Sequence, residues 1–155
     1  MKAIIQDIAT AQIQGVQVAL EQQIIPYNEN FFCWKEAVLT ADFHTNQVSC
    51  GMLKAWHHQP IFSEVETHVD SEMFYFISGT ALMLFADVKN GTPDMKSVQI
   101  VRILAGTQLI IAPGKAHFVA VAQDDEPIQA MVIAPKMAAP RIPLPEVVEG
   151  VLENH

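Results

Sequence analysis

The sequence predicts an all-β fold, a small curved sandwich or barrel, and three observations support this prediction. From about residue 37, short apolar runs are separated by turn residues every ten positions or so. Some runs, such as residues 82–86, are apolar throughout, so we expect both faces of those strands to be covered. The chain has 155 residues, of which 50% are hydrophobic, which is enough to bury one core without disulfides.

The turn residues divide the chain into its expected elements. Residues 1–30 combine helical spacing with alternation, so one short helix and one strand are expected there. Further strands are expected at 37–43, 48–56, 72–78, 81–88, 98–104, 108–112, 116–122 and 128–134. Asn90-Gly91 and Pro113-Gly114 supply the backbone angles that tight turns require.

The C-terminal segment is expected to lie outside the strands. Prolines between 135 and about 145 exclude regular structure there, and residues 146–154 are expected to form a short helix or a loose end. We therefore expect a single domain over 1–155, with a core at about 37–134 and a Pro-rich tail at 135–155.

Charge and composition exclude several classes of function. Nine Lys and Arg against 17 Asp and Glu give a formal charge of −8, which repels nucleic acid and anionic membrane surfaces. No apolar run approaches the ~18 residues that span a bilayer. Cys33 and Cys50 form no disulfide framework, so we expect a cytoplasmic protein with two buried thiols. The high apolar fraction favours a homodimer, in which a second copy covers some faces.

Two clusters of ionisable residues predict a metal site. Glu66 and His68 share parity, so on an extended strand both side chains leave the same face. Glu72 follows four residues later, and His117 begins a strand after the Pro113-Gly114 turn. Imidazole and carboxylate ligands together suit Zn, Fe, Ni or Mn and leave positions open for a small-molecule substrate.

The spacing of these residues resembles the two motifs of the cupin superfamily. His68, Glu72 and Gly79 follow the second half of the first motif, and Gly114 and His117 follow the centre of the second. This resemblance implies a cupin-type double-stranded β-helix, a small jelly-roll barrel with a metal ion in its mouth. In one departure from the pattern, Glu66 stands where the first motif usually has a His.

That departure is similar to one branch, the ureidoglycolate lyase family of allantoin breakdown in purine metabolism. The similar stretches are 66–68 (Glu-Thr-His) and 71–74 (Ser-Glu-Met-Phe), and the resemblance covers about residues 60–120. It implies an amidine lyase that splits ureidoglycolate into glyoxylate and urea. Residues 118–119 (Phe-Val) replace the His and Pro that this family tends to show, which leaves a different substrate open.

The implied reaction assigns roles to the candidate residues. The enzyme must remove a hydroxyl proton, stabilise the alkoxide and protonate the departing urea nitrogen, and a divalent ion serves the first two needs. His68 and His117 are the expected metal ligands. Glu66 and Glu72 share the remaining ligand and catalytic proton-transfer roles, with their division left open.

The substrate carboxylate also needs a hydrogen-bond donor, and the candidates are few. Lys115 precedes His117 in the turn and is the one that we include among the catalytic residues. Lys54, Arg102 and the backbone amides of 114–117 are the alternatives.

Two other functions fit the same ligands. One is a metal-dependent oxygenase or sugar isomerase, and the other is a small-molecule binding module without turnover.

Adjacent strand residues point to opposite faces, so at most one of His57 and His58 is expected to reach the site. If Glu72 points inward, Phe74 and Phe76 do too, and core packing is their expected role.

Overall fold

Strands account for nearly all of the regular structure in the computed structural model, which describes residues 1–152. The last three residues of the expected tail lie outside the described residues. The strands are β1 (Lys2–Asp7), β2 (Val16–Ala19), β3 (Pro26–Asn28), β4 (Cys33–Lys35), β5 (Ser49–Ala55), β6 (Ile61–Glu66), β7 (Glu72–Ser78), β8 (Thr80–Lys89), β9 (Thr92–Leu104), β10 (Gln108–Ile111), β11 (Ala116–His117), β12 (Val121–Ala122), β13 (Ile128–Ala134) and β14 (Arg141–Val151). The expected all-β fold is confirmed.

The strands form two large sheets and one small hairpin. The seven-stranded sheet has the order β11-β6-β14-β1-β9-β8-β12, and β11 also pairs with β8, so six of these strands close into a ring. The five-stranded sheet has the order β2-β10-β7-β13-β5. β3 and β4 pair only with each other among the described residues. This arrangement makes a small barrel, since closure removes most free sheet edges.

Strand β8 divides the core into two apolar clusters. Its residues Ala81, Met83 and Phe85 point into the cluster between the two sheets. The alternate residues Leu82, Leu84 and Ala86 point into a second cluster, which β6 and β14 supply with apolar side chains. Both faces of this strand are covered, as its apolar sequence predicts, and the chain itself covers them.

The N-terminal segment contains more strand than the sequence indicates. β1 lies parallel between β14 and β9, and β2 pairs with β10. The helical content of this segment is one 3-10 turn at Glu21–Gln23, in place of the expected short helix. The six residues of β1 alternate between exposed and half-buried side chains. Because the strand is short, spacing alone does not distinguish this pattern from that of a helix.

The expected strand at 37–43 is wrong. That segment has no strand pairing, and the chain instead forms the hairpin of β3 and β4 just before it. Part of the segment packs across the outer face of the five-stranded sheet, where Ala37 and Leu39 face Tyr75 across a groove. Leu39 is half-buried there, while Ala37 and Val38 remain exposed. Strand β6, at Ile61–Glu66, is an element that the sequence analysis missed.

The expectation for the tail is also wrong, because β14 occupies Arg141–Val151 and lies between β6 and β1. Its pairing with β6 shifts register between Pro143 and Val148. Proline donates no ladder hydrogen bond and is tolerated at such irregularities. The prolines that argue against a strand are thus accommodated by a break in pairing.

Among residues 1–152, no helix is long and apolar enough to cross a membrane.

The role of β14 predicts unequal effects of substitution at two neighbouring valines. Val148 is 0% exposed and Val147 is 51% exposed. We expect Val148→Ala to lower the free energy of unfolding by roughly 2 kcal/mol, through lost apolar burial and a residual cavity. Val147→Ala should change it by less than about 0.5 kcal/mol. Urea unfolding of both variants measures this, and equal values would show that β14 is not part of the core.

Candidate metal centre

The four predicted site residues lie at one end of the barrel. Glu66 is the last residue of β6 and pairs directly with His117 of β11. Glu72 is the first residue of β7, and His68 lies in the connection between β6 and β7. Glu66 and His68 therefore do not share one strand as expected. The chain turns after Glu66, and this turn brings His68 towards His117.

The side chains of these residues converge on a common point. The Nε2 atom of His117 lies 2.9 Å from Glu72 Oε2, and the Nε2 atom of His68 lies 3.3 Å from the same oxygen. Glu66 Oε1 is 4.0 Å from each of the two Nε2 atoms. Both imidazoles are buried. The sequence spacing therefore identified a real cluster.

Backbone carbonyls determine which imidazole nitrogens are free. His68 Nδ1 lies 3.1 Å from the carbonyl oxygen of Ala138, and His117 Nδ1 lies 3.1 Å from that of Lys115. A carbonyl can only accept, so we assign the proton of each neutral ring to Nδ1. With the proton on Nδ1, Nε2 is the atom that can bind a metal ion. Both Nε2 atoms face Glu72, and that of His117 is within hydrogen-bond distance of Glu72 Oε2, at 2.9 Å.

The cluster offers several acceptor atoms to a cation. His68 Nε2 is buried and has no hydrogen-bond partner in the described chain. One ligand atom from each of Glu66, His68 and His117 lies within 4.8 Å of the others, and Glu72 adds a second carboxylate beside both rings. Two imidazoles with carboxylates are a ligand set for Zn, Fe, Mn or Ni. The residues present fit a divalent metal ion.

Two turns hold the ligands in place. Gly114 has a φ of +76°, which favours glycine, and its N–H donates to the carbonyl oxygen of His68 at 2.8 Å. Asp70 accepts from the backbone N–H groups of His44 and Ser71, at 2.9 and 2.8 Å. Burial acts to raise the pKa of Asp70, and the N–H donors hold it below its usual value. The turn that carries His68 is thereby fixed at both sides.

Arg141 contacts the cluster, and the sequence alone does not indicate this contact. Its Nε lies 3.3 Å from Glu66 Oε2 and its Nη1 lies 3.1 Å from Glu64 Oε1. The guanidinium also stacks over the Phe118 ring at 4.6 Å. Arg141 therefore holds one oxygen of Glu66 and leaves the other turned towards the imidazoles. The sequence does not predict this contact with Glu66, because Arg141 lies in a segment that is expected to be irregular.

The cations predicted to bind the substrate carboxylate have other partners. The buried Lys115 ammonium lies 2.7 Å from Asp87 Oδ1, and Arg102 pairs with Asp7 at 3.1 Å. Lys54 lies over the Trp56 ring. The amides of Gly114 and Lys115 donate to chain carbonyls. The catalytic role of Lys115 stays a prediction, since the structure shows its ammonium engaged by one carboxylate.

The remaining expectations have mixed outcomes. Phe74 and Phe76 are buried in the cluster between the sheets, as expected. Cys33 and Cys50 are exposed, so the expectation of two buried thiols is wrong. Both lie near the outer face of the five-stranded sheet, which the sequence analysis could not identify as uncovered. The His57 ring bonds to the Ala122 carbonyl, away from the cluster.

A cavity of about 430 Å³ opens beside the cluster. Glu66, His68 and Glu72 line its inner end. Strands β5 and β13 and residues 135–139 form its walls. A larger cavity of about 660 Å³ lies on the outer face of the five-stranded sheet and touches none of the four site residues. Of these two cavities, the smaller one gives a ligand access to the cluster.

Comparisons with known proteins support the fold. No protein-family model matches the chain, and no curated protein matches it. A dTDP sugar isomerase from Desulfovibrio desulfuricans is 11% identical with a TM-score of 0.52, over 79% of this chain and 78% of that one. RmlC from Streptococcus suis, in complex with dTDP-D-xylose, is 14% identical with a TM-score of 0.51, over 81% of this chain and 67% of that one.

Similarity also extends to a mutant of Bacillus subtilis oxalate decarboxylase OxdC, at 16% identity and a TM-score of 0.44, over 63% of this chain. The chain spans about a quarter of the length of that protein, 24%. At these identities the matches show the fold alone. The chain has a cupin-like fold, a small β-barrel with a buried His and Glu cluster at one end.

The cluster predicts a divalent metal site that depends on His117. We expect the wild-type chain to bind Zn²⁺ at one site per chain, and His117→Ala to weaken binding by more than about 100-fold, since outer-shell substitutions alone cost 10- to 100-fold. His57→Ala is the matched control, because it removes an exposed imidazole outside the cluster. Titration against a competing chelator measures both, and similar affinities for the two variants would contradict the assignment.

Proposed function

We propose that this chain is a metal-dependent lyase that cleaves a C–N bond in a small ureido hydroxy acid, with ureidoglycolate as the leading substrate. The observation that carries the metal dependence is the buried, unpartnered Nε2 of His68 beside Glu66, Glu72 and His117. The choice of substrate rests on the similarity of 66–68 and 71–74 to the ureidoglycolate lyase motifs.

The structure suggests how the two carboxylates divide their roles. Arg141 engages Glu66 Oε2, so Oε1 has a fixed orientation towards both imidazoles, as a metal ligand requires. Glu72 has no Lys or Arg partner among the described residues, and its Oε2 contacts the two imidazoles. We assign Glu66 to ligation with His68 and His117, and Glu72 to proton transfer.

The reaction balances without water or an oxidant. A base removes the proton of the substrate hydroxyl, the C–O bond becomes the carbonyl of glyoxylate, and the C–N electron pair leaves with the urea nitrogen. The proton is then delivered to that nitrogen, which completes urea. A bound divalent ion would lower the pKa of the hydroxyl and offset the charge of the oxyanion. Glu72 is placed to accept and return the proton at the cavity wall.

Turnover of ureidoglycolate tests this proposal directly. The metal-loaded chain should release urea and glyoxylate in equal amounts, and Glu72→Gln should lower kcat by about 100-fold or more, since positioned proton transfer contributes 10²–10⁴-fold. Glu64→Gln is the control, since Glu64 is a half-exposed neighbour that contacts Arg141 outside the cluster. No urea with Zn, Ni, Mn or Fe would refute the substrate. Oxygen consumption instead would indicate an oxygenase.

We also propose that a second copy of the chain covers the outer face of the five-stranded sheet. Met52 is 59% exposed and Ile77 is 42% exposed on that face. Beside them, every residue of β3 and β4 is exposed, including Tyr27 and Trp34. An isolated two-stranded hairpin is marginally stable in water, so a hairpin carrying exposed aromatic side chains needs further packing.

Light scattering during size-exclusion chromatography measures this association. The wild-type chain should have twice the mass of one chain, and Met52→Lys should give the single-chain mass because it places a charge in the apolar face. Leu104→Lys is the control, since Leu104 is 51% exposed at the end of β9 in the other sheet. A monomeric wild-type chain would contradict the proposal.

A further inference from the structure

We propose that Lys136 binds the carboxylate of a small anionic ligand at the mouth of the 430 Å³ cavity beside the metal centre. This inference rests on the proposed function for the identity of the ligand, and on geometry for its charge and size. The sequence alone indicates Lys54, Arg102 and Lys115 for this role, and not Lys136.

Lys136 is the one Lys or Arg among the described residues that line the cavity. It is exposed, and within residues 1–152 its ammonium forms no ion pair. Lys115 and Arg102, by contrast, are each paired with an aspartate. An unpaired ammonium on a flexible four-carbon side chain is suited to meet an anion that enters from solvent.

The charge of the cavity makes such a cation necessary. Glu66 and Glu72 form part of its inner wall, so an anionic ligand approaches two carboxylates. A divalent ion would offset these two charges and would attract one end of the anion. A further positive charge at the mouth adds to that attraction and fixes which end of the ligand faces outward.

The segment that carries Lys136 is anchored to the site at several points. The Nδ1 atom of His68 donates a hydrogen bond to the carbonyl oxygen of Ala138, at an N···O distance of 3.1 Å. On one side, Ser49 Oγ donates to the carbonyl of Ala134 at 3.0 Å, and Pro135 is buried. On the other side, Arg141 engages Glu66. The backbone of 135–140 is therefore held beside the metal centre, and Lys136 shares that position.

The cavity, of about 430 Å³, has room for a small molecule because several of its lining side chains are short. Ser49, Gly51, Ala134 and Ala139 contribute little side-chain volume, and two of them lie on the edge strand β5. A Cβ added at Gly51 would meet only the Val132 carbonyl oxygen, at 3.9 Å, so a larger side chain there fits the backbone. The ligand class is a short hydroxy or oxo acid with one terminal carboxylate.

Equilibrium binding of glycolate and glycolamide to the Zn-loaded chain tests the inference without turnover. These two probes have the same size and differ in the carboxylate. Wild type should bind glycolate about tenfold more tightly than glycolamide, and Lys136→Met should remove that difference by weakening glycolate alone. Lys96→Met is the control, because Lys96 is an exposed residue of β9 outside the cavity.

Several results would overturn the inference. They are undetectable glycolate binding to wild type, an unchanged glycolate affinity in Lys136→Met, an equal loss in Lys96→Met, or a parallel loss of both probes in Lys136→Met. Gly51→Phe should fill the cavity and abolish binding of both probes while Zn²⁺ binding persists. Glycolate binding that survives Gly51→Phe would place the ligand elsewhere and would also overturn the inference.

The two proposals fail independently in these experiments. Lys136-dependent glycolate binding without urea release would refute the lyase assignment and leave this inference intact. Urea release that is unaffected by Lys136→Met, together with unchanged glycolate affinity, would refute this inference and leave the lyase assignment intact.

Discussion

The convergence of hydrogen-bond acceptors at one end of the barrel is the constraint on which the rest of the site depends. The Nδ1 atoms of His68 and His117 donate to the carbonyl oxygens of Ala138 and Lys115, so the Nε2 atom of each ring faces the carboxylates. Buried acceptors without a donor cost free energy. A cation between them removes that cost, and the surrounding turns are arranged so that the ligands cannot separate.

Strand β14 and the segment before it connect the site to the core. Val148 fills the second apolar cluster, while Arg141, at the start of the same strand, holds Glu66. Between β13 and β14, the carbonyl of Ala138 sets the tautomer of His68. The same length of chain therefore stabilises the barrel, orients the Glu66 carboxylate and leaves His68 Nε2 facing the cluster. A substitution that loosens β14 would disturb metal binding as well as stability.

Local spacing explains why the sequence could predict part of this molecule. Glu66, His68 and Glu72 lie within seven positions, so their convergence with His117 required one long-range contact. Arg141 and Lys136 could not be predicted, because their roles depend on contacts across about 70 residues and on a strand that contains prolines. Residues 37–43 were misassigned because an apolar segment that packs on a sheet has the same composition as a strand within it.

The charge of the site explains how an acidic chain can bind an acidic ligand. The chain has a net charge of −8, and two of its carboxylates face the ligand cavity. The charge of a divalent cation and the charges of these two carboxylates sum to zero. Arg141 is shared between Glu66 and Glu64, so the further positive charge is that of Lys136 at the mouth. Without the metal, the carboxylates oppose an anion at short range. Affinity for the anion and affinity for the metal are therefore coupled, and each must strengthen the other by the same factor.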